Sequence, residues 1–108
     1  MENCIFCDQN NIRSEITDHG SCISFEPLKP VCEGHILVVN KKHSKDFTDD
    51  HLIFADTAVT ASRIAKAKGG AYNLITSKGK EATQSVFHLH IHLIPRKQGD
   101  KLELPWNH

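Results

Sequence analysis

The stretch VFHLHIHLIPR, residues 86–96, places histidine at every second position, at His88, His90 and His92. Imidazole can serve as a nucleophile, a proton donor or acceptor, and a metal ligand near neutral pH. Side chains alternate between faces along a strand, so the three rings share one face while Leu89, Ile91 and Leu93 line the other. Successive rings then start roughly 6.6–7 Å apart, from about 3.3–3.4 Å of rise per residue. A single histidine here would read as ordinary outer-face polarity, but three in strict alternation weigh against that. Two chemistries stay open. One is a nucleophile with an assisting imidazole. The other is a catalytic zinc gripped by rings at i and i+2, with a third ligand and an open water position.

A second cluster lies at the other end of the chain, in Cys4-Ile5-Phe6-Cys7. A C-x-x-C pair can be redox-active, but no βαβ pattern surrounds this one. It can be two ordinary thiols, or half of a four-ligand zinc site, for which His43 and His88 are candidate partners. Cys22 and Cys32 stand alone and are expected to pack as small buried thiols.

The elements that must position these groups follow from periodicity. Residues 20–26 (GSCISFE), 35–40 (HILVVN), 71–77 (AYNLITS) and 86–94 are rich in apolar and β-branched residues and read as strands. Between the first two, PLKPVCEG holds two prolines and a glycine and reads as a loop. Thr48 is the expected helix N-cap, with Asp49 and Asp50 in the first turn at the positive end of the dipole. Two sets then recur at helical spacing, Leu52, Ala55, Val59 and Phe54, Ala58, Ala61, Ala65, until Gly69-Gly70 ends the helix behind Lys66 and Lys68. Apolar character wider than one stripe suggests that the helix serves both the sheet and a second subunit. Residues 77–85 (SKGKEATQS) form a polar loop, and Pro105 and Trp106 close a tail able to dock on the body or on a partner. Several strands with one long helix argue for an α+β domain around a mostly antiparallel sheet.

The 108 residues fit one compact domain. Thirteen basic residues balance thirteen acidic ones, so the chain lacks the electrostatic footprint of a dedicated nucleic-acid or membrane binder. The polar N-terminus reads as neither a signal peptide nor a membrane span, which points to the reducing cytoplasm.

Residues 88–94, HLHIHLI, resemble the signature of the histidine triad (HIT) family, His-φ-His-φ-His-φ-φ with φ apolar. Gln84-Ser85-Val86, Pro95-Arg96, Gly34-His35-Ile36-Leu37-Val38 and Lys41-Lys42-His43 fit as well, so the likeness runs from Cys4 to Arg96. The resemblance implies a single HIT domain over 1–108, with a mostly antiparallel five-stranded sheet, one long helix and a short N-terminal helix. It implies a hydrolase or transferase acting at the α-phosphate of a nucleotide, on phosphoramidates, adenylated amines or dinucleoside polyphosphates. By the same likeness His90 is the nucleophile and forms a nucleotidyl-histidine, and His92 stabilises phosphate charge. Gln84, Ser85, Ser77 and Glu26 contact substrate, and His35 supports the site from the neighbouring strand. Zinc-binding bacterial members carry C-x-x-C near the start, which makes Cys4, Cys7, His43 and His88 a structural Zn2+ site and takes His88 out of the chemistry. The family is usually homodimeric, and the expected partner is a small nucleotide, with no stable nucleic-acid or membrane partner. The competing readings are the catalytic zinc above and a nucleotide-binding module without turnover.

Three residues depart from the family pattern. Thr83 stands where many relatives have glycine, Ser77 where an amide is common, and Pro27 at the position that aligns with the ribose-binding residue, leaving Glu26 beside it. These bear on substrate preference more than on the reaction.

Overall fold

The computed structural model describes residues 4–106. Among them, β1 (Thr17–Asp18), β2 (Cys22–Phe25), β3 (Ile36–Asn40), β4 (Ala71–Ile75) and β5 (His90–Arg96) form one sheet in the order β1-β2-β3-β5-β4. Every pairing is antiparallel. One long helix, α1 (His51–Lys68), packs on one face, and short 3-10 turns stand at Gln9–Asn11 and Lys80–Ala82. This is the α+β arrangement that the sequence predicts, with the short N-terminal helix reduced to a 3-10 turn.

The period-2 pattern divides the core into two layers. Toward α1, Cys22, Val38, Ile91 and Leu93 meet Ala61 and Ile64. On the opposite face Ile23, Phe25, Leu37 and Val39 are covered by Phe6, Ile12 and Ile16 from the N-terminal segment. Fully burying a Val, Leu or Ile side chain contributes about 1.5–3 kcal/mol, so both layers hold the sheet. In the β3–β5 register Val39 pairs with His90 and Leu37 with His92. The histidines therefore stand on the face covered by the N-terminal segment, away from the helix.

The starts of α1 and of β5 differ from the sequence reading, each for a physical reason, and β5 runs on through Pro95 to Arg96 rather than ending at Ile94. Asp50, not Thr48, caps α1, accepting from the Leu52 and Ile53 backbone N–H groups. A carboxylate holding two N–H donors is the stronger cap, while Thr48 is drawn to Asp46 through its own N–H and hydroxyl. Asp49 also lies before the helix, where it accepts from Lys45 N–H. The last strand begins at His90 rather than Val86, because Leu89 N–H donates to the Ser44 carbonyl at 2.6 Å instead of to a ladder partner. The expected stop holds: Gly69 takes φ 73°, and its N–H bonds the Ala65 carbonyl. A Cβ on Gly34, at φ +88°, would stand 3.1 Å from Pro95 Cγ, so glycine is needed where this loop crosses β5.

Of the two apolar helix sets, Phe54, Ala58, Ala61 and Ala65 face the sheet. Leu52 is 84% exposed and Val59 47%, so the second stripe is open to solvent. Trp106 is 71% exposed and does not dock on the body of the chain. Cys22 is buried as expected, and Cys32 is half-buried near the Pro95 carbonyl. No helix of the described residues is long and apolar enough to cross a membrane.

Candidate active site and metal centre

The late start of β5 separates His88 from the other two histidines. With Leu89 tied to Ser44, His88 lies in the bend before the strand and is fully buried. Its Nδ1 stands 3.2 Å from Cys4 Sγ, 3.4 Å from Cys7 Sγ and 3.2 Å from His43 Nδ1. Cys7 Sγ is in turn 3.2 Å from His43 Nδ1. The ligand atoms of Cys4, Cys7, His43 and His88 all lie within 4.8 Å of one another. Three segments far apart in sequence thus bring two thiols and two imidazoles to one point, a donor set suited to tetrahedral zinc. His88 Nε2 sits 2.8 Å from the Asn40 carbonyl. A carbonyl only accepts, so Nε2 carries the proton and Nδ1 presents its lone pair to the cluster. A metal-binding histidine is commonly oriented this way.

His90 and His92 do not join that cluster. Their ring centroids are 5.2 Å apart, and both are half-buried. His90 Nδ1 lies 2.8 Å from the His88 carbonyl, so by the same logic Nδ1 carries the proton and Nε2 keeps a lone pair. The His92 ring has the opposite tautomer. Val31 N–H donates to His35 Nδ1 at 3.1 Å, which places the His35 proton on Nε2. His35 Nε2 is 3.0 Å from His92 Nδ1 and donates to it, leaving the His92 proton on its own Nε2. One ring therefore offers a lone pair and its neighbour a proton.

Both rings are held neutral. Burial pushes His90 below the usual histidine range, against the bond to the His88 carbonyl. Burial, then repulsion from His90 and His35, pushes His92 down to about 4. Burial also lowers His35, partly opposed by Glu26. Neutral rings are required for the tautomer assignment and for nucleophilic attack.

The remaining expected residues are spread around this pair. Glu26 is exposed at the end of β2, close enough for its charge to act on His35, and takes part in lining a cavity of about 510 Å3 beside that histidine. Ser77 is half-buried in the loop after β4, and Ser85 is exposed. Gln84 is buried, with both amide protons committed to the Lys45 and Val86 carbonyls and its oxygen accepting from Gly79 N–H. In this conformation its amide ties the 77–85 loop to the turn after His43.

Three residues beyond the expected set bear on the site. Thr76 donates to the His90 carbonyl at 2.8 Å. Phe6 lays its ring edge-on to His90, with centroids 5.3 Å apart, and also meets Phe25. Asn40 supplies the carbonyl that orients His88. Phe6 was visible only as one of two apolar residues inside C-x-x-C, and Asn40 only as a polar residue ending an apolar strand.

The family model of the HIT domain matches residues 9–99 of the chain. The chain belongs to the HIT family. A HIT-like protein of Mycoplasma genitalium is 36% identical over 107 residues, covering 91% of this chain and 76% of its own length. An adenosine 5′-monophosphoramidase of Saccharomyces cerevisiae is 38% identical over 103 residues, covering 87% and 63%. Among HIT structures, a zinc-bound histidine triad family protein from Mycobacterium smegmatis is 31% identical with a TM-score of 0.85, covering 95% of this chain and 81% of its own.

Proposed function

We propose that the protein is a nucleotide hydrolase that cleaves at the α-phosphorus through a covalent nucleotidyl intermediate on His90. The opposed tautomers of His90 and His92 carry this reading. The His90 Nε2 lone pair attacks phosphorus while the bond from Nδ1–H to the His88 carbonyl stabilises the charge that the ring acquires. His92 Nε2–H donates to a phosphoryl oxygen as negative charge builds there. Solvent water supplies the proton with which the leaving amine or phosphate departs. A hydroxyl from water then attacks the phosphorus and releases the nucleotide, returning His90 to its neutral form. Likeness to the yeast monophosphoramidase supports a nucleoside phosphoramidate as the substrate class.

Zinc fits the Cys4, Cys7, His43 and His88 cluster, and likeness to the zinc-bound mycobacterial protein supports it. Bound there, zinc supplies a structural cross-link; four protein ligands leave no open position for substrate or water. His90 and His92 are then free of metal, which disfavours the catalytic-zinc reading.

The exposed Leu52 and Val59 stripe of α1 supports a homodimer, which sedimentation velocity would test. Four cysteines with no disulfide among the described residues suit a cytoplasmic protein.

Hydrolysis of adenosine 5′-phosphoramidate by wild type and His90→Ala tests the function. Turnover by wild type alone is expected. Tight nucleotide binding without turnover would replace the enzyme by a binding module.

A further inference from the structure

Asn40 ends β3 and is 2% exposed, yet nothing in the proposed reaction uses it. Each of its polar groups is engaged, and the partners lead in two directions. Its main-chain carbonyl accepts from His88 Nε2–H at 2.8 Å. Its side-chain Oδ1 accepts from Lys42 N–H at 2.9 Å, closing the turn that presents His43. Its Nδ2 donates to Asp56 Oδ2 at 2.9 Å and to Thr57 Oγ1 at 3.3 Å, both on α1.

We propose that Asn40 is the positioning residue of the Cys4–Cys7–His43–His88 metal centre, holding both histidine ligands at once and bracing them on α1. The inference rests on the reading that this cluster binds zinc. One residue fixes the tautomer and ring direction of His88 through its backbone, and the backbone path to His43 through its side chain. The position demands an amide. The Lys42 N–H needs an acceptor, whereas Asp56 and Thr57 need a donor, and asparagine carries both on one short side chain. Aspartate would keep the acceptor but set a carboxylate against Asp56. Alanine would keep neither. The order continues into the active site, because the His88 carbonyl accepts from His90 Nδ1–H. Asn40 thus holds His88, and His88 holds the nucleophile, each through a main-chain carbonyl.

The test is zinc affinity of the full reduced chain, measured by competition with a chromogenic chelator, beside denaturant unfolding of the same proteins. Groups that orient metal ligands typically change affinity about 10- to 100-fold when removed, and Asn40→Ala is expected to weaken zinc by that factor. Asn40→Asp keeps the Lys42 contact, so its affinity should stay within about threefold of wild type or tighten, although its stability falls. Thr57→Val removes one of the two brace contacts on the helix, together with the hydroxyl bond to the Ile53 carbonyl. It leaves the Lys42 contact intact, so it should lose stability with zinc affinity unchanged. Cobalt substitution adds a geometric readout: the visible spectrum should shift in Asn40→Ala and not in Thr57→Val. The proposal is overturned if Asn40→Ala binds zinc like wild type, or if Thr57→Val weakens it equally. Should Asn40→Ala fail to fold, a loss of about tenfold or more in Asn40→Asp overturns it instead. Wild type that binds no zinc would fail the metal reading itself, an outcome distinct from a misplaced Asn40.

Discussion

His88 and His90 are two residues apart, yet they belong to sites built by different means. His88 is fully buried, and its Nδ1 meets Cys4, Cys7 and His43. His90 and His92 are half-buried on a regular strand, oriented by the His88 carbonyl and by His35. The first site depends on convergence of distant segments, and the second on the pleat of β5 with a short hydrogen-bond chain. One Nδ1 presents a lone pair and the other a proton. Each choice is set by which ring nitrogen meets a main-chain carbonyl. Repeated residue type therefore need not mean repeated role; backbone acceptors decide the role.

Breaking the metal centre should have the largest effect on stability. His43→Ala is expected to lose zinc and the stabilisation that goes with it, about 4 kcal/mol when free zinc is a thousand times its dissociation constant. His92→Ala should keep zinc. Metal analysis and denaturant unfolding check both, and equal zinc in wild type and His43→Ala would remove His43 from the centre.

On the catalytic side, His35→Phe removes the donor that sets the His92 tautomer. The expected loss in kcat is about 10^2-fold with KM little changed, since the phosphate-donating proton is no longer fixed on Nε2. Steady-state kinetics read this directly, and an unaltered kcat would dissolve the proposed relay from Val31 through His35.

A pH dependence follows from burial of the neutral rings. His92 is lowered to about 4 in the folded chain, so the unfolded chain binds more protons between about pH 6.5 and 4. Stability is then fully present above about pH 6.5 and is lost as pH falls toward 4. His90 and His35 shift in the same direction. Unfolding free energies of wild type and His92→Gln across this window should show a shallower slope for the variant; parallel slopes would contradict the assignment.

The smallest effect concerns Thr83, which takes φ 71° and ψ 19°, the left-handed region that a β-branched residue rarely adopts. Such backbone strain costs about 1–3 kcal/mol. Thr83→Gly should therefore stabilise by about 1 kcal/mol, less than the full strain because glycine gains freedom in the unfolded chain. A destabilised variant would show that the hydroxyl contact to the Ala82 carbonyl outweighs the strain.

These two regions also differ in how far the sequence revealed them. Alternation alone put His90 and His92 on one face, because a strand enforces a period of two. Alternation extended to His88 as well, and there it misled about the element: Leu89 leaves the ladder for Ser44, a contact between residues forty-five positions apart that no local pattern encodes. The candidate metal ligands were legible through family likeness rather than spacing. The cap of α1 moved from Thr48 to Asp50 because Asp46 competes for Thr48, again a choice among neighbouring donors that propensity does not rank. Asn40 escaped notice because only its bond to Lys42 N–H is local; those to Asp56, Thr57 and His88 reach residues sixteen or more positions away.

The proposed covalent role of His90 is tested most directly by trapping. Wild type and His90→Ala are incubated with a nucleoside phosphoramidate labelled at the α-phosphorus, quenched in base, and analysed for label on protein and for bound zinc. The expected result is label on wild type alone, with equal zinc in both. Label persisting on His90→Ala would contradict the assignment of the nucleophile.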